Sequence, residues 1–244
     1  AAGPRGSCGE PGVEPLLATQ PRWDAGVEGA AVRLLTVLAL IGLIWLLGLL
    51  GVLWLACTWL ALALYGIGTL VLLVWQAAMF GVVELFLWSD RWRRSLLLGL
   101  AAAGLLALLA LMGMHGVAPG GMEPTAADLA ITRLNALPAP ALWAGLALLI
   151  LVEELLWRGL LLSALQRAGQ APWLAVLLTT AGFSLNHLAV APIPWMGRWM
   201  LAAMALPMGL ASGVITLVSG CLWGAVLLHG LLMTLMASGM GLKP

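Results

Sequence analysis

The sequence predicts an all-α fold, a polytopic bundle of transmembrane helices with about seven spans, and three observations predict it. The chain is 63% hydrophobic with a mean hydropathy of +1.07, which leaves a soluble domain of 244 residues too little polar surface. The interval between Arg33 and Glu84 contains no Asp, Glu, Lys or Arg; at roughly 20 apolar residues per spanning helix it holds about two spans. Further apolar stretches of spanning length follow, separated by charges, glycines and prolines. A net charge of +1 without a basic run gives nucleic acid nothing to bind, so the lipid bilayer is the one partner that composition implies.

In chain order, residues 1–30 are rich in Gly and Pro with mixed charges and read as a disordered tail. The first apolar stretch is longer than the ~7–15-residue core of a cleaved signal peptide and reads as an anchor. Spans are expected at about 32–55, 59–82 and 95–114 in an N-terminal membrane region, 31–115. Gly66 and Gly68 offer a second break in that region, which makes the count eight if they end a helix. Residues 116–140 form the longest loop, with a short interfacial helix expected near Thr125. The C-terminal region, 141–241, holds spans at about 141–166, 173–191, 199–218 and 221–240.

With seven spans, the side of the N-terminus carries Arg5, Arg22, Arg33, Arg91, Arg93, Arg94 and Arg167. The other side carries Arg133, Arg198 and Lys243. Basic residues concentrate on the cytoplasmic side, so the N-terminus is expected inside. DRWRR (90–94) suits anchoring among headgroups, and Gly-rich helices such as 95–114 suit close packing through small residues. Cys8, Cys57 and Cys221 form neither a CxxC nor a metal-ligand spacing.

Against this apolar background, LVEELLWRGLL (151–161) places two acids and an arginine within six positions. Glu154 and Arg158, at i and i+4, can pair along one helix face. Glu153 points about 100° away around the axis. An acid at mid-membrane costs about 2.5–3.5 kcal/mol, so an unpaired one calls for a reason. His187 and His229 lie in the next span and the last. Measured from the cytoplasmic helix ends, Glu154, His187 and His229 sit roughly 18, 21 and 14 Å deep, one layer contributed by three helices. His115, near the end of the third span, falls outside it.

A carboxylate and two imidazoles at one depth admit three chemistries: a general base activating water with the imidazoles assisting, a His₂Glu zinc site, or a proton relay in a carrier. A zinc-protease helix would normally carry HExxH, which does not occur. A transporter would normally have inverted repeats, and none is visible.

Three clusters in order resemble a known family. EELLWRG resembles the EExxxR motif, FSLNH (183–187) the FxxxH motif, and His229 the start of the HxxxN or HxxxD motif of the CAAX protease and bacteriocin-processing (CPBP, Abi) family, which includes the type II CAAX prenyl endopeptidases. The resemblance covers about residues 140 to 240. It implies a helical, glutamate-dependent intramembrane endopeptidase that needs no metal cofactor, acts on a peptide or membrane-associated protein, and resides in a bacterial inner membrane. In it, Glu153 matches the base that activates water, His187 its assistant and His229 an oxyanion donor. Glu154, Arg158, Phe183 and Asn186 match supporting or substrate-binding positions. The departure is Met233, where the family has Asn or Asp. Methionine donates no hydrogen bond, and Asn186 and Thr234 are the nearby replacements. Met233 therefore also suits a catalytically weakened scaffold or immunity-type protein of the same fold.

Overall fold

The computed structural model describes residues 27–51, 55–81, 85–114, 138–191 and 195–239. Residues 1–26 of the expected tail, residues 116–137 of the expected loop with its helix near Thr125, and His115 lie outside the described residues, while 27–30 and 139–140 are already helical. Those described are helical, with no strand among them, and form seven rods. The first is α1 (Val27–Leu50). The second runs through α2 (Leu55–Ala63), a π-helical turn (Leu64–Gly68) and α3 (Thr69–Phe80). The third is α4 (Trp92–Met114). The fourth joins α5 (Ala139–Glu154), an eight-residue π-helical stretch (Leu155–Leu162) and α6 (Ser163–Arg167). Then come α7 (Pro172–Val190), α8 (Trp195–Ser219) and α9 (Trp223–Gly239).

Six rods are long and apolar enough to cross a membrane; the apolar part of the last, Trp223–Met236, is shorter. Gly66 and Gly68 do not end a helix, so no eighth span arises there. They lie in the π turn, where the backbone ladder widens and continues.

Leu35, Leu46, Val71, Val74, Leu97 and Leu105 point outward from the first three rods. Outward leucine is the expected surface where hydrocarbon is the solvent. The fourth rod is the opposite: every residue from Val152 to Leu165 is buried. Its π-helical stretch packs against α1, α3, α7 and α8, and α5 packs against α9 and the first π turn. The rod with the adjacent acids is thus the axis of the bundle.

Small residues bring the remaining helices together, as the glycine content predicts. Any Cβ on Gly99 would overlap the backbone of Gly224, and one on Gly224 would overlap the carbonyl of Ser95. The hydroxyl of Ser95 donates to Cys221 O (2.8 Å) and accepts from Gly224 N–H (2.9 Å). Gly209 and Gly213 seat α8 against Thr180 and Val176 of α7 in the same way. Gly224→Ala is therefore expected to push α4 from α9 and lower stability in detergent by about 1–3 kcal/mol. An unchanged thermal midpoint would contradict that packing.

Two devices set the start of α9. Gly220, at φ 65°, takes the left-handed conformation that closes α8. Leu222 N–H then bonds Phe86 O at 2.9 Å, and Trp223 Nε1 bonds Leu87 O at 2.9 Å. On the opposite side, Arg198 of α8 donates to Leu188 O at 2.9 Å, covering a carbonyl at the end of α7. Arg33 is buried, with its guanidinium 3.0 Å from the centre of the Phe80 ring.

Candidate active site

The adjacent acids stand where α5 passes into the π-helical stretch. π-helical turns are rare and recur at functional sites, because the wider turn re-aims the side chains that follow. Glu154, fully buried, receives Arg158 Nη1 on Oε1 at 3.2 Å, the predicted i,i+4 pair. The same oxygen lies 2.9 Å from His229 Nδ1. A carboxylate beside an arginine is ionised and can only accept, so His229 Nδ1 carries the proton in that bond. Arg158 also donates from Nη2 to Gly209 O at 3.3 Å and lies 4.6 Å from the centre of the Phe183 ring. The charges that composition makes surprising are therefore closed into Arg158–Glu154–His229, faced by an aromatic ring that favours the cation.

Glu153 is not left without a neighbour. Its Oε2 lies 3.6 Å from His229 Nε2, so one imidazole stands between two consecutive carboxylates. Unlike Glu154, it belongs to no closed ion pair, and its side chain retains 11% of its exposure against none for Glu154.

His187 reaches the same cluster from α7. Its Nδ1 is 2.9 Å from Phe183 O. A carbonyl only accepts, so Nδ1 holds the proton and a neutral His187 presents the lone pair of Nε2. The ring stands edge-on to Phe183 at 4.9 Å, and Phe183 faces His229 at 5.8 Å.

The structure thus brings together Glu153, Glu154, Arg158, Phe183, His187 and His229. Asn186 faces α1 instead, and its Oδ1 accepts from Trp45 Nε1 at 3.0 Å. Met233 is half-buried one turn past His229, and Thr234 is exposed with its hydroxyl donating to Gly230 O at 2.8 Å. Two more residues beside the cluster are specified by none of the three motifs. Trp157 packs edge-on against Phe183, and its Nε1 donates to the hydroxyl of Tyr65 at 2.9 Å. The available signal for Tyr65 was a polar ring in the middle of an apolar span. Among the described residues, no group of three or more His, Cys, Asp or Glu is arranged to hold a metal ion.

No curated protein and no solved structure matches the chain. A family model does: residues 135–235 match "Type II CAAX prenyl endopeptidase Rce1-like", a range that contains all three motifs. Over that region the chain, an integral multi-pass membrane protein, is similar to the CAAX protease (CPBP) family.

Proposed function

We propose that the chain is an intramembrane endopeptidase in which Glu153 activates water for attack on a peptide bond. The observation that carries this reading is the unequal treatment of two adjacent acids. Glu154 is locked by Arg158 and His229, whereas Glu153 keeps a partly open carboxylate beside the His229 imidazole.

In this reading Glu153 takes one proton of a water held by His187 Nε2 as the water oxygen bonds the scissile carbonyl carbon. The C–N bond then breaks, and Glu153 returns the proton to the leaving amine. His229, with its Nδ1–H held by Glu154, takes up a second proton from solvent before the attack and donates its Nε2–H to the developing oxyanion. Glu154 and Arg158 hold that ring. Every step uses a side chain of this protein, and none requires a cofactor. The substrate is a peptide or a membrane-associated protein, and the setting is a bacterial inner membrane with the N-terminus cytoplasmic, in keeping with the arginine distribution.

Met233 favours a second reading, a weakened scaffold or immunity-type protein that binds a partner through the same helices. Met233→Asn in the protein reconstituted in liposomes separates the two. The peptidase reading expects wild type to cleave, with the variant within about tenfold. A gain of roughly 10²–10³, the usual worth of one oxyanion donor, would mark the natural protein as impaired. The proton-coupled carrier, the third possibility raised by the buried acids, would require Glu153-dependent transport driven by a pH gradient.

A further inference from the structure

Tyr65 is the only tyrosine in the chain, and it lies buried in the middle of a membrane span. Its oxygen accepts the Nε1–H of Trp157 at 2.9 Å, and an indole N–H can only donate. The phenol's own proton is therefore directed elsewhere, and among the described residues it has no acceptor. A buried donor without an acceptor is costly, which makes this proton a group in search of a ligand. The π turn that carries Tyr65 packs directly against α5, the helix that ends in Glu153 and Glu154. Trp157, which fixes the hydroxyl, also touches Phe183, the ring shared by His187 and His229.

We propose that Tyr65 is a catalytic hydrogen-bond donor, its O–H directed at the carbonyl oxygen of the bound peptide. That oxygen becomes an oxyanion when water adds. Tyr65 keeps its proton throughout and forms no bond to carbon. The assignment rests on the peptidase reading above. It also accounts for Met233: the donor absent from α9 is supplied by Tyr65, while Asn186 is engaged with Trp45 and the Thr234 hydroxyl donates to Gly230 O.

The test is Tyr65→Phe in the full-length protein in liposomes, which removes one oxygen and keeps the ring. The donor role expects kcat to fall about 10²–10³-fold with KM nearly constant. It further expects Met233→Asn to restore at least about tenfold of the loss in Tyr65→Phe, with a smaller effect alone, because either side chain can serve the same oxygen. Loss of activity that parallels a fall in thermal midpoint, without rescue by Asn at 233, would overturn it as a structural role.

Because the chain has one tyrosine, 3-fluorotyrosine labelling gives a single ¹⁹F resonance. A peptide phosphinate, which mimics the tetrahedral intermediate, is expected to shift that resonance. An unmoved resonance with the phosphinate bound would overturn the proposal even where Tyr65→Phe does not fold. Full turnover by Tyr65→Phe while Glu153→Gln is inactive would overturn the donor and leave the peptidase standing. A wild-type protein that cleaves nothing would remove both.

Discussion

Replacing Glu153 with glutamine is expected to leave the helices in place and reduce peptide hydrolysis by about 10²–10⁴-fold. That is the range for losing a positioned general base. Glutamine matches glutamate in shape and can still face His229, so the bundle keeps its packing. What it cannot do is take a proton from water. Because Glu153 belongs to no closed ion pair, the substitution leaves no charge stranded: Arg158 keeps Glu154, and so does His229 Nδ1. Cleavage of a membrane-embedded peptide, followed by mass spectrometry alongside the thermal midpoint in detergent, checks both halves. A variant as active as wild type would remove Glu153 from the mechanism. One that loses activity and melts far lower would make the acid structural.

Truncating Arg158 is expected to do the opposite first. Arg158→Ala strips Glu154, which is wholly buried, of its cation, and breaking a buried pair in this way costs about 3–5 kcal/mol. The guanidinium's contacts with Gly209 O and the Phe183 ring go with it, so the seat of α8 on the central rod loosens as well. A double variant, Glu154→Gln with Arg158→Met, removes both charges at nearly constant volume. It is expected to recover most of the stability, because a neutral pair carries no desolvation penalty. It is not expected to recover the rate, since His229 Nδ1 would then face an amide instead of a carboxylate, and the cation form of the ring would lose its support. Thermal melts and kcat measured on the same preparations separate the two effects. Equal recovery of both would show that the pair serves only the fold.

What the sequence discloses about this fold and what it withholds follow from the same physics. Charges in an apolar background are expensive, so EELLWRG, His187 and His229 stood out by position alone, and depth arithmetic brought them to one layer. The i,i+4 partnership of Glu154 and Arg158 needs only helical spacing, and the structure has it at 3.2 Å.

Other features leave no such trace. A π-helical stretch is a change in the backbone ladder, and nothing in LLWRGLLL distinguishes it from an α-helix. Stepping of about 100° separates Glu153 from Glu154 and gives no sign that both acids face one imidazole, which meets them with its two different ring nitrogens. Gly66 and Gly68 read as a break for the same reason: glycine permits an interruption, and tertiary packing turned it into a widened turn. The partner of Asn186 is Trp45, 141 residues away, a pairing that local spacing has no means to register. Tyr65 was a polar ring in a span, outside every motif, and only the fold sets its hydroxyl against Trp157.

The central claim is that Glu153 activates water and does not itself attack the peptide. Single-turnover cleavage by excess protein in H₂¹⁸O tests it most directly, with the product and the tryptic peptide containing Glu153 both weighed. The account predicts one ¹⁸O in the new carboxyl group of the product on the first turnover and none in Glu153. Label in Glu153 with unlabelled product would make that acid a nucleophile and contradict the account.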